Sequence, residues 1–492
     1  MFHIPRQVYL DHNATTPVAK EVAEEMSRIL RGRWGNPSSL HTRGRDARGI
    51  VETARDTVAG ILGCNSSEIY FTSGGTEGNN TVIRGVFEAA GRRGHIITTA
   101  IEHDSVLGAC QQVQLAGGDV TYLPAGRDGL VKAVDVKAAI RPDTILVSVM
   151  HANNETGALQ PVEDIGKIAR DAGIPFHTDA VQSFGKIGVN VDDIGCDYLT
   201  LSAHKINGPK GAGAIFVRDG AKLIPLISGG DQERGLRTGT EGVHQIAGLA
   251  RAALLAAERR EGDFARLARL REYFLEGLRS LVPDIIVNDA PAGSQLPGTI
   301  NLTFPGRENI RILAGLDCYE VCVSIGSACT ADRVEPSHVL IGMGLSEAEA
   351  LSSIRMSMGR TTAEADMRYV LKVLGKVLAH DPAGFAYMDP QQLTAERIES
   401  PDTFLVDLRF PYERMLKEGI PGAKEWSHIY FERYFKQIPW DREVVLMCGT
   451  GIFSFQAGYR LANAGHPRVR VVYGGYAAWE SIYPDAVSRL KR

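Results

Sequence analysis

The sequence predicts an α/β protein built from more than one folding unit, a long strand-and-helix section followed by a smaller α/β domain. Three observations predict it. Short β-branched runs alternate with amphipathic stretches, as at residues 144–149, 162–172 and 174–179, and this rhythm is that of a largely parallel sheet covered by helices. At 492 residues the chain is too long for one ordinary core. After Ala379 its character changes, because His380-Asp381-Pro382-Ala383-Gly384 reads as a breaker and a fresh series begins near Asp389.

In chain order, residues 197–201 read as a further strand, and two long helices are expected at 243–260 and 264–281. A second strand-and-helix section runs from 298 to 378 and closes on an apolar helix at 367–378. The C-terminal part offers strands at 403–407, 443–448 and 470–473 and a helix at 454–464, about 100 residues in all, enough for an independent domain. The expected division is therefore residues 1–380, a linker at 381–389, and a domain at 390–492.

Composition narrows the function. The chain is 44% hydrophobic and 23% charged with a formal net charge of −4 and no long basic run, which speaks against a nucleic-acid or membrane surface. The first residues, Met1-Phe2-His3-Ile4-Pro5-Arg6, lack the apolar core of a signal peptide, and no stretch is long enough to span a bilayer. Seven cysteines without a disulfide-like framework fit free thiols in a reducing compartment, so a cytoplasmic enzyme is expected.

Three motifs carry the chemistry. Ser202-Ala203-His204-Lys205 follows a strand, where burial would lower the lysine's pKa and free its amine to form a Schiff base with an aldehyde cofactor. His177-Thr178-Asp179-Ala180-Val181-Gln182 ends another strand, so Asp179 would face the same crevice and could keep a pyridine nitrogen protonated. Phe71-Thr72-Ser73-Gly74-Gly75-Thr76-Glu77 runs from strand into helix, where the N–H groups of Gly75 and Thr76 could bind a phosphate. Each alone has a plainer reading, as a solvated lysine, a helix N-cap or a capped helix. Together they are the three parts needed to hold pyridoxal phosphate.

With these motifs in place, the chain resembles the cysteine desulfurases of the NifS/IscS type, in the class-V aminotransferase family. The resemblance is carried, in order, by Leu10-Asp11-His12-Asn13-Ala14-Thr15-Thr16, Gly35-Asn36-Pro37-Ser38-Ser39, the Gly75 motif, Ala152-Asn153-Asn154-Glu155-Thr156-Gly157, the Lys205 motif, Arg237-Thr238-Gly239-Thr240-Glu241 and Gly326-Ser327-Ala328-Cys329-Thr330. It covers roughly residues 7–378. It implies a fold-type I pyridoxal-phosphate transferase, homodimeric, converting L-cysteine to L-alanine and an enzyme persulfide. Lys205 would carry the cofactor and move protons, Asp179 would pair with the ring nitrogen, and Gln182 would bond the phenolic oxygen. His103 would stack on the ring, while Gly75, Thr76, Ser202 and His204 would hold the phosphate and Thr240 would reach that of the neighbouring subunit. Asn154 and Arg355 would meet the substrate, Arg355 clasping its carboxylate.

Cys329 lies in a small-residue stretch read as a loop, suited to a thiol that must take sulfur and carry it away. Ile325 stands in that stretch where a second small residue might be expected. Cys318, Cys322 and Cys329 have a Cys-x3-Cys-x6-Cys spacing unlike common zinc pairs, so no metal site is expected. A selenocysteine or cysteine-sulfinate lyase is the alternative within pyridoxal-phosphate chemistry, and a non-catalytic sulfur-trafficking scaffold the alternative outside it.

Residues from about 390 to 492 resemble a rhodanese domain through Leu405-Val406-Asp407-Leu408-Arg409, Gly419-Ile420-Pro421-Gly422-Ala423, Cys448-Gly449-Thr450-Gly451-Ile452-Phe453-Ser454 and Gly474-Gly475-Tyr476-Ala477-Ala478-Trp479. Cys448 occupies the position of the loop cysteine, whose surrounding N–H groups favour an anionic sulfur. Phe453 stands where an arginine is usual, which removes a positive charge and weakens the case for thiosulfate as donor, and Gly419 stands where a histidine is usual. The expectation is a relay from Cys329 to Cys448 and on to an acceptor protein or small thiol, for iron–sulfur cluster, thio-cofactor or tRNA thiolation chemistry, with a silent docking domain as the competing reading.

Overall fold

A computed structural model describes residues 7–326, 335–379, 381–417, 419–420 and 422–484. Its largest sheet has seven strands: β1 (Ile69–Thr72), β2 (His95–Thr99), β3 (Asp119–Leu123), β4 (Thr144–Ser148), β5 (Phe176–Asp179), β6 (Tyr198–Ser202) and β7 (Gly213–Val217). They lie side by side in the order β1-β7-β6-β5-β4-β2-β3, and only β7 pairs antiparallel with its neighbours. The strands are buried nearly throughout because helices cover both faces, which is why they read as β-branched runs without alternation.

Two helices bear on the site. Helix α1 (Gly75–Ala89) follows β1 directly, and α2 (Asp104–Leu115) follows β2 with His103 as its N-cap. The sequence reading of two helices after Val243 gives way to one, α3 (Val243–Leu281), 39 residues long. It runs through Gly262, where glycine costs about 1 kcal/mol against alanine, a cost that packing at both ends outweighs. Its first half, with Leu249 and Ala253, belongs to the large core, and its second half, with Phe274 and Leu278, to the next one.

That second core lies under a three-stranded antiparallel sheet, β8 (Ile286–Val287), β9 (Thr299–Thr303) and β10 (Ser353–Ser357), with β9 central. Helices α4 (Asn309–Asp317) and α5 (Glu364–Ala379) pack on it, and Val8–Tyr9 pairs in parallel with Val321–Cys322, tying the N-terminal segment into this unit.

The last part is a five-stranded, wholly parallel sheet of β11 (Phe385–Met388), β12 (Thr403–Asp407), β13 (Lys424–Glu425), β14 (Glu443–Met447) and β15 (Val469–Val472), in the order β11-β15-β14-β12-β13. β11 falls within residues 381–389, read from the sequence as linker. Four residues behind a Pro/Gly breaker carry too little pattern to announce a strand, and only pairing with β15 makes them one. Helix α6 (Ile452–Asn463) covers this sheet, its Tyr459 and Phe455 packed with Phe385 of β11.

Candidate active site and thiol loop

The carboxyl ends of β5 and β6 and the amino ends of α1 and α2 open on one cavity of about 240 Å³. Ten of the residues singled out from the sequence line it: Gly75, Thr76, His103, Asn154, Asp179, Gln182, Ser202, His204, Lys205 and Arg355. Thr240 is exposed and does not line this cavity. Cys329 lies outside the described residues. Cys448 sits in the C-terminal domain.

Lys205 closes a short 3-10 turn after β6, and its Nζ donates to the carbonyls of Asn13 and Ala14. Asp179 ends β5 with both carboxylate oxygens occupied, Oδ1 by Val181 N–H at 2.9 Å and Oδ2 by Asn79 Nδ2 at 2.7 Å. Asn79 also donates to Ser105 Oγ, which lies 2.9 Å from His103 Nδ1, so one polar chain links the histidine to the aspartate. Since His103 Nδ1 also accepts from Ser105 N–H, the neutral ring carries its proton on Nε2.

At the other end of the cavity, α1 starts with no side-chain cap, leaving its first N–H groups for an external acceptor. Ser202 Oγ is buried and without a partner, and a Cβ on Gly75 would come 2.8 Å from Val181 Cγ2. Uncapped N–H groups, an unspent hydroxyl and a close-packed glycine suit a phosphate. A carboxylate across the cavity and an amine between them complete a donor set that fits pyridoxal phosphate.

Arg355 is 1% exposed, on β10. Its Nη2 holds Asp11 Oδ1 at 2.8 Å and its Nη1 the Asn154 carbonyl at 3.2 Å, while Nε and Asn154 Oδ1 are buried without partners. The ion pair with Asp11 therefore fixes the guanidinium in the wall of the cavity.

Several residues here were not singled out from the sequence. Asn79 and Ser105 are ordinary helix-face polar residues until the fold turns them inward. Lys186 donates to Gln182 Oε1 at 2.8 Å and Asn13 Oδ1 at 3.2 Å, and burial, with Lys205 and Arg355 nearby, pushes its amine down to about 7. Because a charged lysine only donates, this contact makes Oε1 the accepting end of the Gln182 amide, and Nε2 donates to the Asn13 carbonyl at 3.0 Å with its second N–H left over. Glu102 is fully buried, and burial pushes its carboxyl up to about 8, with the charge of Asp179 adding. The one sequence signal for Lys186 was its place four residues after Gln182, on the same face of the turn.

In the C-terminal domain Cys448 follows β14 and is 1% exposed. Its sulfur accepts from Gly451 N–H at 3.1 Å and Ser454 N–H at 3.4 Å, the latter in the first turn of α6. Gly451, with φ of 98°, bends the loop around the sulfur. Phe453 stacks on His428 with centroids 4.3 Å apart, and Phe410 packs edge-on to both, so the rim is aromatic where an arginine was absent. Among the described residues no cluster of three His, Cys, Asp or Glu side chains could hold a metal, and no helix is long and apolar enough to cross a membrane.

Residues 8–370 match the class-V aminotransferase family and residues 390–482 the rhodanese-like domain. The chain belongs to the class-V aminotransferase family, whose enzymes use pyridoxal phosphate, with a rhodanese-like domain behind it. Among its relatives are cysteine desulfurases. Cysteine desulfurase IscS of Dictyoglomus turgidum is 46% identical over 374 residues, 76% of this chain and 95% of that protein. Its counterpart in Clostridium botulinum is 42% identical over 375 residues, 76% and 94% of the two chains. A solved NifS-like protein superposes with a TM-score of 0.72 at 38% identity, covering 76% of this chain and all of that one. SspA in complex with cysteine gives a TM-score of 0.64 at 41% identity, covering 71% and 98%.

Proposed function

We propose that the chain is a cysteine desulfurase that converts L-cysteine to L-alanine, takes the sulfur on Cys329 as a persulfide and relays it to Cys448. The observation that carries this is the single cavity in which Lys205, Asp179, the uncapped α1 terminus and Arg355 converge. Pyridoxal phosphate bound there supplies an aldehyde for the substrate amine and a ring that accepts electrons from the reacting carbons. Gly75, Thr76, Ser202 and His204 would hold the phosphate. Asp179, braced by Asn79 and Val181, would keep the ring nitrogen protonated, and Gln182, through the remaining N–H of Nε2, would bond the phenolic oxygen. His103 would stack on the ring, and Arg355 would bind the substrate carboxylate.

Lys205 Nζ then carries the proton between substrate carbons. The Cys329 thiolate attacks the substrate sulfur, so that an S–S bond forms as the C–S bond breaks, and the carbon left behind takes a proton to give alanine. The cradle of N–H groups around Cys448 supports its part as the receiving thiol. The enzyme acts as a homodimer in a reducing, cytoplasmic setting, with Thr240 of the partner subunit completing the phosphate site. Its acceptors are proteins or small thiols of iron–sulfur or thio-cofactor synthesis.

The test is mass-spectrometric mapping of persulfides, with alanine assay, after brief exposure to L-cysteine. Wild type is expected to form alanine and to carry persulfide on Cys329 and Cys448, and Cys329→Ala to do neither. Alanine formed by Cys329→Ala at the wild-type rate would make the enzyme a lyase instead.

A further inference from the structure

Asn13 is 3% exposed and has every polar atom in use. Its N–H donates to Ser357 Oγ at 2.9 Å, and its Nδ2 to Thr299 Oγ1 at 2.8 Å and to the Asn154 carbonyl at 3.1 Å. Its own carbonyl accepts from Gln182 Nε2 at 3.0 Å and from Lys205 Nζ. What remains, Oδ1, accepts from Lys186 Nζ at 3.2 Å, and the same Nζ donates to Gln182 Oε1 at 2.8 Å. Lys186, Gln182 and Asn13 thus close a triangle of hydrogen bonds. Asn13 and Gln182 line the active-site cavity; Lys186 does not, and lines instead a second, smaller one of about 80 Å³.

The turn that carries Lys186 is held tightly. Gly185 has φ of 74°, and a Cβ on it would come 2.9 Å from Ala256 of α3 and from Ile206, so the backbone here is pressed against both. Among the described residues no carboxylate pairs with the Lys186 ammonium, and burial, then the charges of Lys205 and Arg355, all work against it. A buried cation beside two others costs stability, and an apolar side chain of the same length would fill the space without that cost. The charge is accounted for by what it does to the amides. The two ends of an amide are alike in shape and opposite in hydrogen bonding, so packing alone does not decide which way Gln182 points. An ammonium on Oε1 decides it, and by polarising the amide makes Nε2 the stronger donor.

The geometry points to Lys186 as a positioning residue of the cofactor site, one that touches neither cofactor nor substrate and acts through Gln182, holding its amide with the second Nε2 N–H ready for the phenolic oxygen of pyridoxal phosphate. The inference rests on the role proposed for Gln182 above. Asn13 braces the arrangement from the other side, since its carbonyl takes the first Nε2 N–H and its Oδ1 takes the lysine. An anionic phenolic oxygen then faces, across one amide, a cation that has no carboxylate of its own.

The experiment is a double-mutant cycle on the full-length chain, resolved of cofactor and titrated with pyridoxal phosphate, for wild type, Lys186→Met, Gln182→Leu and the two combined. Lys186→Met should weaken cofactor binding about tenfold while Gln182 is present and by less than about twofold once Gln182 is leucine, since the lysine then has no amide to orient. The visible band of the bound cofactor reads the same contact, and Lys186→Met should displace it in the direction that Gln182→Leu does. A loss below about threefold with Gln182 present, or a loss in the leucine background within about threefold of that one, overturns the assignment. A band that Gln182→Leu moves and Lys186→Met leaves in place overturns it as well. Should Lys186→Met fail to fold, Lys186→Gln, which donates without charge, takes its place in the cycle. Affinity and band both unchanged in Gln182→Leu alone would sink the reading of Gln182 itself, a separate result.

Discussion

Glu102 shows how much one buried carboxyl contributes to the behaviour of the site. Its Oε1 accepts from Met150 N–H and Thr99 Oγ1, while its Oε2 is buried without a partner, beside a cavity that already holds Asp179. With its pKa raised to about 8 when folded and near the ordinary carboxylate value when unfolded, the native state binds the extra proton between. Stability from this group is then fully present below about pH 4 and falls as pH rises toward 8. Glu102→Gln, which keeps the accepting oxygen, should flatten the decline in melting temperature between pH 5 and pH 8; an unchanged slope would rule the group out. Arg355→Lys makes the second residue-scale test. A lysine cannot hold Asp11 and a substrate carboxylate together, so KM for cysteine should rise by about tenfold or more, the worth of a charged hydrogen bond of roughly 1.5–3 kcal/mol. Steady-state alanine formation reads this directly.

At the scale of elements, the segment leading to Thr240 is fastened by a buried pair. The Glu233 carboxylate takes both Arg55 Nη atoms at 2.8 Å and the Phe71 N–H at 2.8 Å, anchoring the turn to β1 although Glu233 itself has φ of 46°. Glu233→Ala leaves Arg55 with only the half-exposed Glu52 carboxylate at 3.2 Å and the Ile69 carbonyl at 2.8 Å, and should cost about 1.5–3 kcal/mol by denaturant unfolding. What the sequence revealed follows the same division between local and distant. The strands ending in Asp179 and Ser202 were legible because an apolar run stopping on polar residues marks the catalytic edge of such a sheet. The uncapped start of α1 was legible because Gly75 and Thr76 are contiguous. Asn79 and Ser105 were not, since nothing in a lone helical asparagine tells that a strand one hundred residues later will present an aspartate to it. The gap left at residues 261–263 between two expected helices was wrong, since the packing at both ends of α3 carries the helix through.

At the scale of the whole molecule, α4 has two apolar faces. Ile312 and Leu316 fill the core under β9, and Ile310 and Ala314, one face round, fill the core of the C-terminal domain. Ala314→Arg should therefore unseat that domain while leaving alanine formation intact, and calorimetry should show two separated unfolding transitions where wild type unfolds in closer step. The same helix sets the fate of a chain cut after Ala379. Such a fragment would carry Ile310, Leu313 and Ala314 as a bare stripe, and sedimentation should find it associated beyond the dimer that the full chain forms. A protease that nicked the connection would thus not leave behind a lone desulfurase venting sulfide into the cell; the clipped half would leave solution, and the source of sulfur would be retired together with its handler.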